Sequence, residues 1–335
     1  MIITNKNNLP QPFVDAVSKE YQYKDKRYSV TALLNSEREI ILKRRYNNNI
    51  ESDVSDMIWA IFGTAVHGVL ENSNKSENLL TEQYLSLPIK LSDGDEYTLS
   101  GLCDLFDTEQ GEVIDYKVTS TFKALKKDFE DYKMQGLIYA YMISKIKFYK
   151  YISINYLNGK ETYTLTTEPA KIQLAGTKCE EMFFKPKKAT FYMILRDWQK
   201  SKAKFDKEYP QSQVQKVTFR FTKKDFDWIE KWLLDKFEKI KAAEQLSDEE
   251  LPLCSDKDRW KNEDVYAVMK KGRKSALRLL NNEQEAQDYM KANGGDYIEL
   301  RKGSDRKCEE YCSCCEFCPY WQKNYKNDNG GELPF

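Results

Sequence analysis

The sequence predicts an α/β fold, a central mixed sheet flanked by helices, with a small cysteine-rich segment after it. Three observations predict this. Residues 55–71 and 224–244 carry apolar side chains at helical spacing. Between them lie several strand-like runs bounded by turn residues. An amphipathic stretch at 124–145 separates two groups of those runs, which is the alternation an α/β sheet needs.

Element by element, residues 1–27 are polar and expected to be a loose lead-in. Residues 28–46, YSVTALLNSEREIILKRRY, read as a short helix or two ending in the basic run Lys43-Arg44-Arg45. In SDMIWAIFGTAVHGVLE the apolar positions 58, 59, 62, 66, 69 and 70 make a helix. Residues 79–90 and 96–106 are expected strands, joined by a Ser-Asp-Gly-Asp turn at 92–95. GEVIDYKVT at 111–119 is a third, followed by the long helix 124–145. Strands are expected near 149–156, 161–166 and 190–195. A helix over about 224–244 carries Phe226, Ile229, Leu233, Phe237 and Ile240 on one stripe. The segment 246–256 breaks it, and 264–300 reads as a small strand–helix–strand unit. The expected domains are therefore a core over 28–245, a small α/β and cysteine-rich part over 246–323, and a flexible tail over 324–335.

Composition limits the function. The chain has 335 residues, with 53 Lys plus Arg against 53 Asp plus Glu, so the formal net charge is zero. A globally basic coat for nucleic acid is excluded, and any polyanion must bind a local patch. Hydrophobic residues at 41% and aromatics at 13% are those of a globular chain. No apolar run approaches the ~18 residues of a membrane span. The N-terminus lacks a signal-peptide layout, so a cytoplasmic location is expected. His67 is the single histidine, which excludes Cys2His2 fingers and HExxH sites. Of eight cysteines, Cys308, Cys312, Cys314, Cys315 and Cys318 crowd together. In a reducing compartment such a group points to metal rather than disulfides.

The chemistry centres on one strand. Asp115 and Lys117 are two residues apart and share a face, with the Tyr116 carbonyl between them. The preceding strand offers Asp104. Carboxylates on adjacent strands with a carbonyl oxygen suit Mg²⁺ or Mn²⁺. A lysine beside them can orient water or neutralise charge growing on a phosphate. His67 lies one turn after Gly63, where the helix is expected to approach the sheet closely. Gly101 permits close backbone approach ahead of Asp104. Gln135 and Tyr139 share a helix face. Glu82, on the strand before Asp104, is within conceivable reach of a metal but is ranked below the others.

These motifs, Gly63-x-x-x-His67, Gly101-x-x-Asp104, Asp115-x-Lys117 and Gln135-x-x-x-Tyr139, resemble in order and spacing the RecB-like branch of the PD-(D/E)XK nucleases, over about residues 28–145. The resemblance implies a restriction-endonuclease-like core and a metal-dependent DNA nuclease. It implies metal binding by Asp104, Asp115, the Tyr116 carbonyl and His67, a catalytic Lys117, and roles for Gln135 and Tyr139 in contacting DNA or bracing the site. Cys103 stands where the superfamily name has proline.

The segment KCEEYCSCCEFCPYW spaces Cys308, Cys312 and Cys318 as a ligand set, with Cys254 as a fourth. The layout is similar to AddB-type and CRISPR-associated exonucleases, and its surroundings resemble a phage-encoded subgroup. In that family such cysteines hold a [4Fe–4S] cluster that staples the C-terminus. Here the distant cysteine follows the core instead of preceding it, and Cys314 and Cys315 are surplus. Thiolate chemistry alone suits Zn²⁺ equally.

The expected function is a Mg²⁺- or Mn²⁺-dependent DNA exonuclease in recombination, repair or phage replication. The alternatives are a non-catalytic DNA-binding partner with a nuclease-like fold and a structure-specific endonuclease. Lys270, Lys271, Arg273, Lys274 and Arg278, like Arg44, Arg45, Lys185, Lys187 and Lys188, suit either DNA phosphates or a solvated face. Arg196-Asp197-Trp198 is expected to hold an internal ion pair. The tip Glu332-Leu333-Pro334-Phe335 resembles the acidic tips of bacterial single-stranded-DNA-binding proteins, which implies docking to host replication or repair proteins; an ordinary frayed terminus is the competing reading.

Overall fold

The chain divides into two compact units. The first is Met1–Leu34 with Glu51–Ala242, and the second is Asn35–Ile50 with Ala243–Phe335. This computed structural model describes residues 1–18, 23–73, 76, 78–154, 161–168 and 178–326. The expected tail tip, 332–335, lies outside the described residues.

The first unit is built on a mixed six-stranded sheet. Its path runs Val214–Arg220, Lys188–Leu195, Glu112–Thr119, Glu96–Asp107 and Arg27–Ser29, and Leu79–Lys90 also pairs with Glu96–Asp107. Lys188–Leu195 runs parallel to Glu112–Thr119, while Glu96–Asp107 is antiparallel to it. The alternating run VQKVTFR forms the edge strand Val214–Arg220, which the sequence reading passed over because its burial alternates without a strong apolar signal. A separate antiparallel sheet joins Phe148–Ile154 to Glu161–Thr166 and Lys178–Met182.

Two helices close the core. Glu130–Lys145 buries Leu137, Ile138, Ala140, Met142 and Ile143, each at most 2% exposed. The stretch expected as one helix over 124–145 is two, Thr121–Lys126 and Glu130–Lys145, because Lys127 takes a left-handed conformation, φ 54°, and ends the first. Gly136 lets the longer helix sit directly on the sheet, since a Cβ there would lie 2.5 Å from the Ala189 Cβ. In Lys223–Glu244 the stripe Ile229, Leu233, Phe237 and Ile240 is buried, worth roughly 1.5–3 kcal/mol each.

Residues 1–27 hold more structure than a loose lead-in. Ile2–Thr4 pairs in parallel with Glu51–Asp53, and Gln11–Val17 is a helix. The Asp53 carboxylate explains this order, accepting bonds from the Lys6 amide at 2.7 Å and the Thr4 hydroxyl at 2.9 Å.

The second unit holds a three-stranded antiparallel sheet, Arg278–Leu280, Val265–Met269 and Tyr297–Arg301, with the helix Glu283–Asn293. Residues 35–50, expected within the core, belong here. Their helix Glu37–Arg45 buries Ile40, Ile41 and Leu42, and Tyr46 stacks on Phe317 with ring centroids 4.3 Å apart. Among the described residues no helix is long and apolar enough to cross a membrane.

Candidate active site

The site forms where two strands part. The ladder between Glu96–Asp107 and Glu112–Thr119 runs only through Leu105↔Ile114, Phe106↔Val113 and Asp107↔Glu112. Beyond it, side chains satisfy the freed backbone groups. The Asp104 carboxylate accepts the Tyr116 amide at 3.0 Å, and the Tyr139 hydroxyl donates to the Leu102 carbonyl at 2.8 Å. Gly101 is required by the same packing, because a Cβ there would stand 2.8 Å from Tyr139 Cε1. Gly63 differs from expectation. Nothing lies within 4 Å of a Cβ built at Gly63, so it does not bring the His67 helix, Ile58–Asn72, against the sheet.

His67 bridges the gap between the strands. Its Nε2 donates to the Tyr116 carbonyl at 2.8 Å, and its Nδ1 faces Asp104 Oδ2 at 3.3 Å. The bond to Asp104 raises the imidazole's pKa above its usual value, against the opposing effect of burial. His67, Glu82 and Asp104 bring one ligand atom each within 4.8 Å of the others. Together with the Tyr116 carbonyl they make a mostly oxygen donor set with one imidazole, which fits a hard divalent cation.

Glu82 is the member sequence reasoning underrated. It sits where the ladder between Leu79–Lys90 and Glu96–Asp107 is interrupted, between Thr81↔Leu105 and Gln83↔Cys103. Its backbone is left-handed, φ 45°, uncommon for a glutamate inside a strand. No local pattern announces that conformation. Burial, then Asp104 and Glu71, raise its carboxyl pKa. A cleft of about 300 Å³ opens here, lined by Glu71, Glu82, Asp104, His67 and Tyr116.

Asp115 is 4% exposed and lies outside that three-residue group. Its Oδ2 accepts from Gln135 Nε2 at 3.0 Å, and its Oδ1 is ion-paired with Lys117 Nζ at 2.7 Å. Burial pushes the carboxyl up to about 6, Lys117 acts against this, and Asp104 reinforces it. A carboxylate so placed favours a cation close by. The structure therefore brings His67, Asp104, Asp115, Tyr116, Lys117, Gln135 and Tyr139 into one contact network. Gln135 and Tyr139 act through Asp115 and the Leu102 backbone.

Arg196-Asp197-Trp198 departs from the expected internal ion pair. Asp197 accepts the Thr121 amide and hydroxyl, Arg196 lies 4.2 Å over the Trp59 ring, and the Trp198 indole donates to the Pro210 carbonyl.

In the second unit, Cys254, Cys308, Cys312, Cys314, Cys315 and Cys318 line one small pocket. The helix Glu37–Arg45 and its cap back it. Ser36 Oγ lies 3.0 Å from Cys254 Sγ, and Arg38 donates to Cys318 Sγ at 3.7 Å. Lys43 and Lys307 both pair with the buried Glu39. Burial would raise the Glu39 carboxyl, but the two lysines outweigh it and hold it below the usual range. Burial and neighbouring cysteines push the Cys308 thiol up to about 12. The Cys312 and Cys314 sulfurs lie 3.6 Å apart, and the surplus Cys314 and Cys315 both line the same pocket as the four expected ligands. Among the described residues no three cysteine sulfurs lie within 4.8 Å of one another.

No family model and no curated protein matches the chain. A solved structure described as the crystal structure of SSO0001 aligns with a TM-score of 0.43 and 16% identity, covering 72% of this chain and 87% of that one.

Proposed function

We propose that the protein is a divalent-metal-dependent DNA exonuclease of the RecB-like PD-(D/E)XK type, working in recombination, repair or phage replication. The observation that carries this reading is the convergence of all four motifs on the gap between the Asp104 and Asp115 strands. A Mg²⁺ or Mn²⁺ held by Asp104, the Tyr116 carbonyl and His67, with Asp115 beside them, would supply charge stabilisation and a more acidic water. Lys117 holds a positive charge beside Asp115, where it could neutralise negative charge growing on a scissile phosphate. Gln135 fixes the Asp115 carboxylate, and Tyr139 holds the strand that carries Asp104. With a metal bound, His67 would serve as a neutral imidazole ligand, in place of its present contacts with Asp104 and the Tyr116 carbonyl.

A second centre in the cysteine pocket is proposed as structural, held by Cys254, Cys308, Cys312 and Cys318. Tetrahedral zinc with Zn–S bonds of about 2.3 Å needs thiolates about 3.8 Å apart. The donor set suits either zinc or a [4Fe–4S] cluster, and the cluster is preferred on the resemblance of the cysteine layout alone. The nuclease reading is tested by incubating end-labelled single-stranded and duplex DNA with Mg²⁺, Mn²⁺ or EDTA. Mononucleotide release that EDTA abolishes supports it; intact substrate with either metal contradicts it.

A further inference from the structure

Outside the candidate site, one surface in the second unit is charged without compensation. The strand Val265–Met269 turns through residues 270–277 into Arg278–Leu280. Lys270, Lys271, Arg273, Lys274 and Arg278 lie on this hairpin, five cations in nine residues with no acidic residue among them, in a chain of zero net charge. All five are exposed.

Several cations elsewhere in this unit are paired, Lys261 with Asp256, Arg301 with Glu299, Lys302 with Asp264 and Arg306 with Glu310, while exposed single cations such as Lys257 and Lys291 are scattered. None of the hairpin's five makes an ion pair among the described residues. The nearby Asp296 carboxylate accepts the Lys271 backbone amide at 2.7 Å. The base of the hairpin is rigid. Ala267 and Val268 are fully buried, and the Leu277 amide donates to the Val268 carbonyl at 2.8 Å. Gly272, φ 80°, and the bond from the Arg273 amide to the Lys270 carbonyl at 3.0 Å shape the tip.

We infer that this hairpin is a nucleic-acid arm that binds the phosphodiester backbone without reading bases. The tip, Lys-Lys-Gly-Arg-Lys-Ser-Ala, has no aromatic ring to stack on a base and no large apolar side chain to enter a lipid interface. What it offers is closely spaced fixed charge, which exchanges condensed counterions for phosphates. Such contacts position a substrate and are blind to its sequence. The inference rests on the nuclease reading for its substrate, but its residues are not part of the catalytic network.

The test uses the full chain carrying Asp115→Asn, so that bound DNA stays intact. Anisotropy titrations with single-stranded and duplex oligonucleotides, from 50 to 200 mM salt, compare this parent with one that also carries Lys270→Ala, Lys271→Ala, Arg273→Ala and Lys274→Ala. The expected result is at least tenfold weaker binding at low salt on every sequence tried. The slope of log K against log salt should be shallower by roughly 3–4, four contacts at ~0.7–0.9 each. Four Lys or Arg exchanges that keep the charge should keep the slope. An unchanged slope and affinity in the alanine variant, with its thermal unfolding also unchanged, would overturn the inference and leave the nuclease reading standing. A parent that binds neither DNA would retire both. Tip-dependent binding to phosphatidylserine vesicles, with no change toward DNA, would reassign the arm to lipid headgroups.

Discussion

The carboxylate site of the first unit and the cysteine pocket of the second are assembled in opposite ways. The carboxylate site draws on neighbouring elements between His67 and Tyr139, and two of its pairs are set by a short-range period: two residues from Asp115 to Lys117, four from Gln135 to Tyr139. The cysteine pocket draws its thiols from Cys254 and from 308–318, but its polar backing from Ser36 to Lys43, more than two hundred residues upstream. The first site gathers Glu82, Asp104 and Asp115 against one lysine and one histidine, a donor set that suits a divalent cation. The second buries its thiols beside Arg38 and a Glu39 held by two lysines, a setting that keeps most of them protonated until a metal binds. This teaches that the first should lose chemistry when altered, and the second should lose stability.

The sharpest way to break that contrast is Lys117→Ala. Cleavage should fall at least a thousandfold, about 4 kcal/mol of barrier, while thermal unfolding stays within a few degrees. A large loss of stability with little loss of cleavage would reverse the assignment. Cys312→Ser should do the opposite, lowering the midpoint of unfolding and the iron content while the remaining folded protein cleaves at a near-normal rate. Cys103→Ser, in the first unit, should leave the iron content unchanged.

How far these sites were legible follows the same division. The motif residues were readable because strands and helices repeat at two and 3.6 residues, so spacing alone puts side chains on one face. Glu82 was not, because its place depends on a left-handed residue inside an interrupted ladder. The cysteines were obvious by count, whereas the helix that backs them looked like part of the core, since nothing local ties residues 35–50 to Phe317 or Cys254. The strands Val214–Arg220 and Lys178–Met182 were missed for a similar reason: edge strands that bury few side chains carry a weak pattern. Ile2–Thr4 escaped notice because its order comes from a distant carboxylate.

Two smaller effects refine the comparison within the first unit. Gly101→Ala should cost roughly 1–3 kcal/mol of stability by forcing Tyr139 aside, and adding Tyr139→Leu should recover part of that cost in urea unfolding. Full tolerance of the alanine would show that the Tyr139 contact does not set the strand's position. The smallest effect concerns Asp53. Hydrogen bonds from the Lys6 amide and then from Ser55 hold its carboxyl well below the usual range. A depressed folded value stabilises above the unfolded pKa of about 3.9, and the contribution disappears as pH falls through the folded value. Amide-exchange protection at Ile2–Thr4 should therefore weaken on acidification, and Asp53→Asn should remove most of that pH dependence.

The most direct measurement of the central claim is single-turnover digestion of end-labelled single-stranded DNA by the wild type and by Asp115→Asn, each in Mn²⁺ and in EDTA. The account predicts cleavage by the wild type with Mn²⁺ alone, and a loss of at least a thousandfold in a variant that still folds. Cleavage by Asp115→Asn at the wild-type rate, or wild-type cleavage that persists in EDTA, would contradict it.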